Sequence, residues 1–316
     1  MKPENIPVSG IIRLLEAKDD DEVRCIFAAA KRVKQKCGKV SVLKRALVEC
    51  SNCCAKDCLY CGIRRSNTDV LRYRLPVSEV VRLVSKARES GFVAVAFQAG
   101  EIENEENTSY YEELLGSCSG LEVTLSLGEQ EESVYRRWRE AGAMRYLLRI
   151  ESSDRDLFAA IHPHDCSFDR RLECLRTLKR LGYFTGTGVM IGLPGQTVEM
   201  LARDIVFFGR EKMDMVGMGP YLVHPQTPMA SGAGQWDVSY RMTMALRMIA
   251  VARLYLHSVN IVSATALEAI AGEGGRNAGI ESGANVIMPV MTPVEFRKAY
   301  DIYPGKCGKP VQSDFK

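Results

Sequence analysis

The sequence predicts an α/β protein built as a single (β/α)8 TIM barrel with an N-terminal helical extension, and three observations carry that prediction. Short β-branched, apolar runs alternate with stretches of helical periodicity, the pattern of βα units that build a parallel sheet. Eight such runs follow residue 39, and eight βα units close a barrel. No low-complexity linker or break in composition interrupts the 316 residues. The expected division is therefore an extension over 1–38 and one barrel over 39–316.

The elements follow in order. Residues 8–17 and 21–37 read as helices, because Ile11, Leu14, Leu15 and then Val23, Ile26, Phe27, Ala30 and Val33 recur at helical spacing, with aspartates near the second start. The strand runs are 39–49, 93–98, 122–127, 144–150, 184–191, 214–218, 259–264 and 284–288. Helical patterns lie near 76–90, 107–116, 130–141, 168–181, 196–211 and 238–257. The seventh connection reads as short and glycine-rich, and the last helix is expected to begin near Pro293.

Composition narrows the class. A hydrophobic fraction of 46% and a charged fraction of 26% are those of an ordinary globular protein. The net charge is +3, with both signs interleaved, so no nucleic-acid surface is expected. No segment is apolar enough for a signal peptide or a membrane span, and a cytoplasmic protein is expected. The eleven cysteines are odd in number and clustered, which suits reduced thiols and metal ligation better than a disulfide framework.

Five cysteines fall within twelve residues, at 50, 53, 54, 58 and 61. The run CAKDCLYC at 54–61 has the spacing CxxxCxxC, and Cys54, Cys58 and Cys61 could hold three corners of a cubane iron-sulfur cluster. Such clusters ordinarily take four thiolates, so the fourth iron would stay open, the mark of a reactive centre. Two other groupings compete. Cys50, Cys53, Cys58 and Cys61 form two CxxC pairs, but with only four residues between them, far fewer than in a zinc ribbon. Cys53, Cys58 and Cys61 match a plant-type [2Fe–2S] run but lack a nearby fourth cysteine. The three-ligand cluster accounts best for the crowding.

A barrel should gather its site at the C-terminal ends of its strands. There the sequence places the cysteine loop, then Gln98 to Glu101, then Ser126, Gly128 and Glu129, then Arg149 and Glu151. Gly192 to Gly195, Gly219-Pro220, Thr265 and Met288-Pro289 follow. Each also has a plainer reading: Arg149 and Glu151 as a barrel-mouth ion pair, Arg170 as a solvated helix residue, Gly192 to Gly195 as a tight turn. Gly186 and Gly188 lack the third glycine of a dinucleotide fingerprint. The four histidines form no metal spacing beyond His162 and His164, and Met242, Met244 and Met248 read as core.

CxxxCxxC with Tyr60 before its last cysteine resembles the radical S-adenosylmethionine (SAM) superfamily. The stretches 57–67 (DCLYCGIRRSN), 123–129 (VTLSLGE), 145–149 (RYLLR), 192–197 (GLPGQT), 215–220 (MVGMGP), 283–289 (GANVIMP) and 303–306 (YPGK) further resemble its HydE branch, the [FeFe]-hydrogenase maturases. The resemblance implies a [4Fe–4S] cluster on Cys54, Cys58 and Cys61, with SAM on the open iron and its cleavage to a 5′-deoxyadenosyl radical. It implies that Tyr60, Gly100, Glu101, Ser126, Glu151 and Arg170 contact SAM, with Gly100 and Glu101 at its amino group and Glu151 and Arg170 at its ribose and carboxylate ends. Arg149, Gln98, Thr124, Arg145 and Tyr303 would line the cavity for a cysteine-bound iron carbonyl cyanide precursor of the hydrogenase H-cluster. The implied partners are that organometallic or another small-molecule substrate, a flavodoxin or ferredoxin as reductant, and other maturases. Cys307, the one cysteine of the tail, offers no set for a second cluster. The alternatives are a paralogue acting on an organic substrate, as methylornithine synthase or biotin synthase does, and a non-catalytic iron-sulfur carrier.

Overall fold

The computed structural model describes residues 6–232 and 236–306; Cys307 lies outside them. Nine strand segments, β1 (Leu43–Lys44), β2 (Ala46–Ser51), β3 (Ala94–Ala99), β4 (Glu122–Ser126), β5 (Ala143–Leu147), β6 (Phe184–Ile191), β7 (Met215–Pro220), β8 (Asn260–Ser263) and β9 (Val286–Ile287), pair in parallel in the order β1-β9-β8-β7-β6-β5-β4-β3-β2. β1 and β2 are one strand interrupted at Arg45, so the ring returns on itself. Leu43 pairs with Val286, and Leu47 continues the seam by donating to Pro289 O (2.8 Å) and accepting from Met291 N (2.7 Å). The eight expected runs are thus the eight barrel strands.

Helices α1 (Val8–Leu15) and α2 (Asp20–Lys36) form the extension. Asp19 caps α2 by accepting from Glu22 N (2.9 Å), and acidic residues fill its first turn while Lys34 and Lys36 close the last, matching the helix dipole. The extension is fastened to the barrel's outer ring. Lys34 donates to Ile280 O (2.9 Å), Lys31 pairs with Glu281 (2.8 Å), and Arg247 donates to Leu15 O (2.9 Å).

The ring itself comprises α3 (Val77–Glu89), α4 (Glu105–Gly116), α5 (Glu132–Glu140), α6 (Arg155–Ile161), α7 (Phe168–Arg180), α8 (Val198–Arg210), α9 (Val238–Leu256), α10 (Thr265–Ser282) and α11 (Val294–Arg297). Two features depart from the sequence reading. The seventh connection holds the 18-residue α10; its glycines hid the helix, and they break it locally at Ala271 and Gly272, the latter at φ 58°. The short α6 was not anticipated, because a seven-residue helix shows too little periodicity to register.

Alternate strand residues face outward and inward. Outward-facing Val48, Val95, Phe97, Val123, Leu125 and Tyr146 pack under the helices in the main core. Inside the barrel, Met215, Val262 and Val286 pack together with Leu147 and Met288. Beneath that plug, at the N-terminal strand ends, Arg45 and Arg145 share one oxygen of Glu122 (3.5 and 3.0 Å), and Arg145 lies over Phe184 (4.6 Å). Above the plug, Gly188 on β6 and Gly217 and Gly219 on β7 leave the inner wall without side chains, giving room at the mouth.

Candidate active site

The cysteine loop leaves β2 and is held by its own backbone carbonyls. Arg72 donates to four of them, those of Asn52 (2.7 Å), Ile63 (2.8 Å), Arg64 (2.7 Å) and Asn67 (3.0 Å). A guanidinium suits this task because its five donors lie in a rigid plane. Asp57 accepts from Ser66 N (3.1 Å) and pairs with Arg64 (2.9 Å). Gly62 packs so closely that a Cβ there would lie 2.0 Å from Asp301 O.

The five clustered cysteines divide by direction. Cys50, on the outward face of β2, is buried in the core beside Cys118 and Tyr111. Cys53 turns its sulfur to Tyr73 O (3.6 Å). Both are thereby withdrawn from the zinc grouping. Cys54, Cys58 and Cys61 remain together: burial pushes the Cys58 thiol well up, with Cys61 and Cys54 adding to it, and pushes Cys61 up to about 12, with Cys54 adding. Among the described residues, no three His, Cys, Asp or Glu side chains are drawn together tightly enough to hold a single metal ion. Thiolates that each take a different iron do not need to converge that closely.

Gly100 and Glu101 follow β3 and lie against this loop. A Cβ on Gly100 would stand 2.2 Å from Cys53 O and 2.7 Å from Cys54 Cβ, so only glycine lets the two segments meet. The contact brings Glu101 N within 3.4 Å of Cys54 Sγ and lets Ala55 N donate to Glu101 O (2.7 Å). Glu101 is buried; that burial pushes its pKa up, against the pull of Arg171. It accepts from Glu129 N (2.8 Å) and pairs with Lys56 (3.1 Å). Gly128, at φ 80°, passes directly beneath it.

On the opposite wall, Arg149 and Glu151 form a two-pronged pair (2.7 and 2.9 Å). Arg149 also donates to Val189 O (2.9 Å) and Gly217 O (3.3 Å), lying where a Cβ on Gly188 would be 2.7 Å from its Nη1. Glu151 sits at φ 63°, in the left-handed region. Arg171, on the barrel face of α7, binds Glu129 and donates to Arg149 O (2.6 Å), tying the two walls together.

Tyr60 is backed by His162. Burial, with Arg171, pushes the His162 ring down to about 4, so it is neutral. Its Nδ1–H donates to Phe158 O (2.8 Å), leaving Nε2 to accept from the Tyr60 hydroxyl (3.3 Å). Leu157, Ile161, Leu193 and Met229 form an apolar cluster there, with Leu59, Tyr60 and Met190 packed against it. On the other side the chain's last described segment covers the mouth: Tyr303 meets Thr265 (2.5 Å) and Lys306 pairs with Glu49 inside the barrel.

Most of the expected site residues therefore gather at one mouth. Gln98 and Ser126 are register partners on adjacent strands. The Thr124 hydroxyl, one layer below, is 1% exposed and has no hydrogen-bond partner among the described residues. Two residues stand apart. Arg145 lies at the closed end of the barrel on Glu122, and Arg170 stands on the outer rim among Glu103 (3.1 Å), Glu131 (3.0 Å) and Glu129 (3.5 Å). The sequence reading passed over Lys56, Arg72, Arg171, Glu49 and Lys306. Helical spacing would have found Arg171, which shares a face with Cys174, Leu175 and Leu178.

Asp204, on α8, supports the loop after Glu151 by accepting from Ser153 N (2.7 Å). Its other oxygen is buried without a hydrogen-bond partner among the described residues, and burial pushes the carboxyl from about 3.8 up to about 7, against the pull of Ser153. Between those values the folded chain holds a proton that the unfolded chain has lost, so stability falls as pH rises through that window. Asp204→Asn keeps the acceptor and removes the charge. We expect it to flatten this pH dependence and to stabilise the protein at pH 8 by on the order of 2 kcal/mol, measured by denaturant unfolding across pH.

Residues 48–208 match the radical SAM superfamily, and the chain belongs to it; it is a radical SAM enzyme of the HydE-like kind. It is 41% identical to the [FeFe] hydrogenase maturase subunit HydE of Thermotoga maritima over 287 residues, 89% of this chain and 79% of that protein. It is 24% identical to the 3-methylornithine synthase of Methanosarcina barkeri, over 89% of this chain and 78% of that one. Its fold matches the crystal structure of methylornithine synthase (PylB) with a TM-score of 0.81 at 22% identity, covering 90% of this chain and 82% of that one. Membership implies a [4Fe–4S] cluster and SAM. The donor set fits both: three neighbouring thiols, a peptide N–H aimed at one of their sulfurs, and a buried carboxylate beside them. Among the described residues, no helix is long and apolar enough to cross a membrane.

Proposed function

We propose that Cys54, Cys58 and Cys61 hold the [4Fe–4S] cluster and that the chain acts as a hydrogenase maturase on a cysteine-bound iron carbonyl cyanide complex. When bound and reduced by a flavodoxin or ferredoxin, the cluster would supply the one electron for cleaving SAM to methionine and a 5′-deoxyadenosyl radical. The chain's own residues do the rest. Glu101 takes the SAM ammonium and Glu151 the ribose, while Arg170 would have to turn inward from the rim, past Glu129, to reach the carboxylate. Tyr60, fixed by His162, and the apolar cluster around Leu193 and Met190 take the adenine and exclude water. Gln98, Ser126 and Thr124 line the cavity below, and Tyr303 covers it.

The observation that supports the substrate reading is Arg149 at the mouth, its guanidinium lying against the glycine wall at Gly188 and Gly217. Guanidinium groups suit an anionic complex, offering fixed donors to cyanide and carboxylate. The cytoplasm and the other maturases are the setting this reading implies, with α1 and α2 bracing the barrel from outside.

The test is 5′-deoxyadenosine formation by anaerobically reconstituted enzyme with a cysteine-bound iron dicarbonyl cyanide complex, against lysine as the organic competitor. We expect the iron complex to raise the rate at least about tenfold over enzyme without substrate, or about 1.4 kcal/mol of barrier. Stimulation by lysine alone would transfer the assignment to a paralogue of methylornithine synthase.

A further inference from the structure

Lys56 stands between two of the three loop cysteines, and its ammonium lies 3.1 Å from Glu101 Oε1 and 3.7 Å from Glu129 Oε2. The two carboxylates differ in their other partners. Glu129 already has Arg171 and, at 3.5 Å, Arg170. Glu101 has Lys56 as its one ion-pair partner among the described residues. Glu101 cannot withdraw, since Gly128 passes directly beneath it and Glu129 N–H holds its second oxygen. Lys56 can: its side chain is 19% exposed against 7% for Glu101, and it ends a flexible four-carbon stem.

We propose that Lys56 is a resident counter-ion that the SAM ammonium must displace, Lys56 moving from Glu101 toward Glu129 as SAM enters. The proposal rests on the reading that Glu101 receives that ammonium. Without a ligand, Glu101 is a buried carboxylate, and such a charge needs a partner. Lys56 supplies one, holding the carboxylate ionised and in place, and thereby competes with the incoming cation. Binding at Glu101 then exchanges one ammonium for another, so Lys56 lowers SAM affinity while keeping the empty site ready. Lys56 is a positioning residue, acting through Glu101.

Equilibrium dialysis of SAM against the anaerobically reconstituted holoenzyme tests this, with 5′-methylthioadenosine, which has no amino acid moiety, as the control ligand. We expect Lys56→Met to bind SAM roughly fivefold more tightly, the effect of losing a partly exposed ion pair. Its affinity for 5′-methylthioadenosine should equal that of the wild type, and Lys56→Arg should show no gain for SAM. Unchanged or weaker SAM binding by K56M, an equal gain for 5′-methylthioadenosine, or an equal gain in K56R would each overturn the proposal. Should K56M fail to take up its cluster, Lys56→Gln replaces it with the same expectations. Glu101→Gln separates the two readings. If it binds SAM as the wild type does, the assignment of Glu101 fails and the role of Lys56 with it. If E101Q binds weakly and K56M gains nothing, only the role of Lys56 fails.

Discussion

Replacing Cys54, Cys58 or Cys61 with alanine should reduce 5′-deoxyadenosine formation to background, whereas Cys53→Ala should retain it. The contrast follows from where the sulfurs point. Cys53 is adjacent to Cys54 in sequence but turns to Tyr73 O, while Cys54 receives the Glu101 N–H and lies with the other two thiols. A cubane with three protein thiolates has none to spare, so each loss should also lower iron and sulfide content, measured by chemical assay beside the activity. Loss of the cluster in Cys53→Ala, with Cys54→Ala unaffected, would shift the ligand register by one residue.

Lys306→Met should destabilise the protein by about 3–5 kcal/mol, the usual consequence of stripping a buried charge of its partner. The Lys306 and Glu49 side chains are 3% and 1% exposed. Burial alone would push the Lys306 ammonium down, and Glu49 beside it holds it up. The double variant Glu49→Gln, Lys306→Met should recover most of the loss, because a buried pair removed whole costs far less than one broken. Denaturant midpoints of the three variants measure this; a double variant no more stable than K306M would place the effect in packing rather than charge.

How much of this was legible depended on range. Strands and helices are written in local periodicity, and β6 matched residue for residue at 184–191. A parallel barrel also makes strand ends converge, so reading those ends found Glu101, Glu151 and Arg149 before any contact was known. Illegible were contacts between residues distant in the chain. Nothing local says that Glu49, one acidic residue in an apolar run, meets Lys306, or that Arg72 holds the carbonyls of Asn52 and Ile63. Arg145 shows the converse: it lies on an inward position, as expected, but position along the strand set its depth, and it falls at the closed end.

Glu151 has a further consequence. A side chain held at φ 63° costs about 1–2 kcal/mol that glycine would not, and here it holds the carboxylate against Arg149. Glycine at this position would relieve that strain but leave the Arg149 guanidinium without its carboxylate, a larger loss than the strain itself. The unfavourable backbone angle is thus held in place by the ion pair that it makes possible.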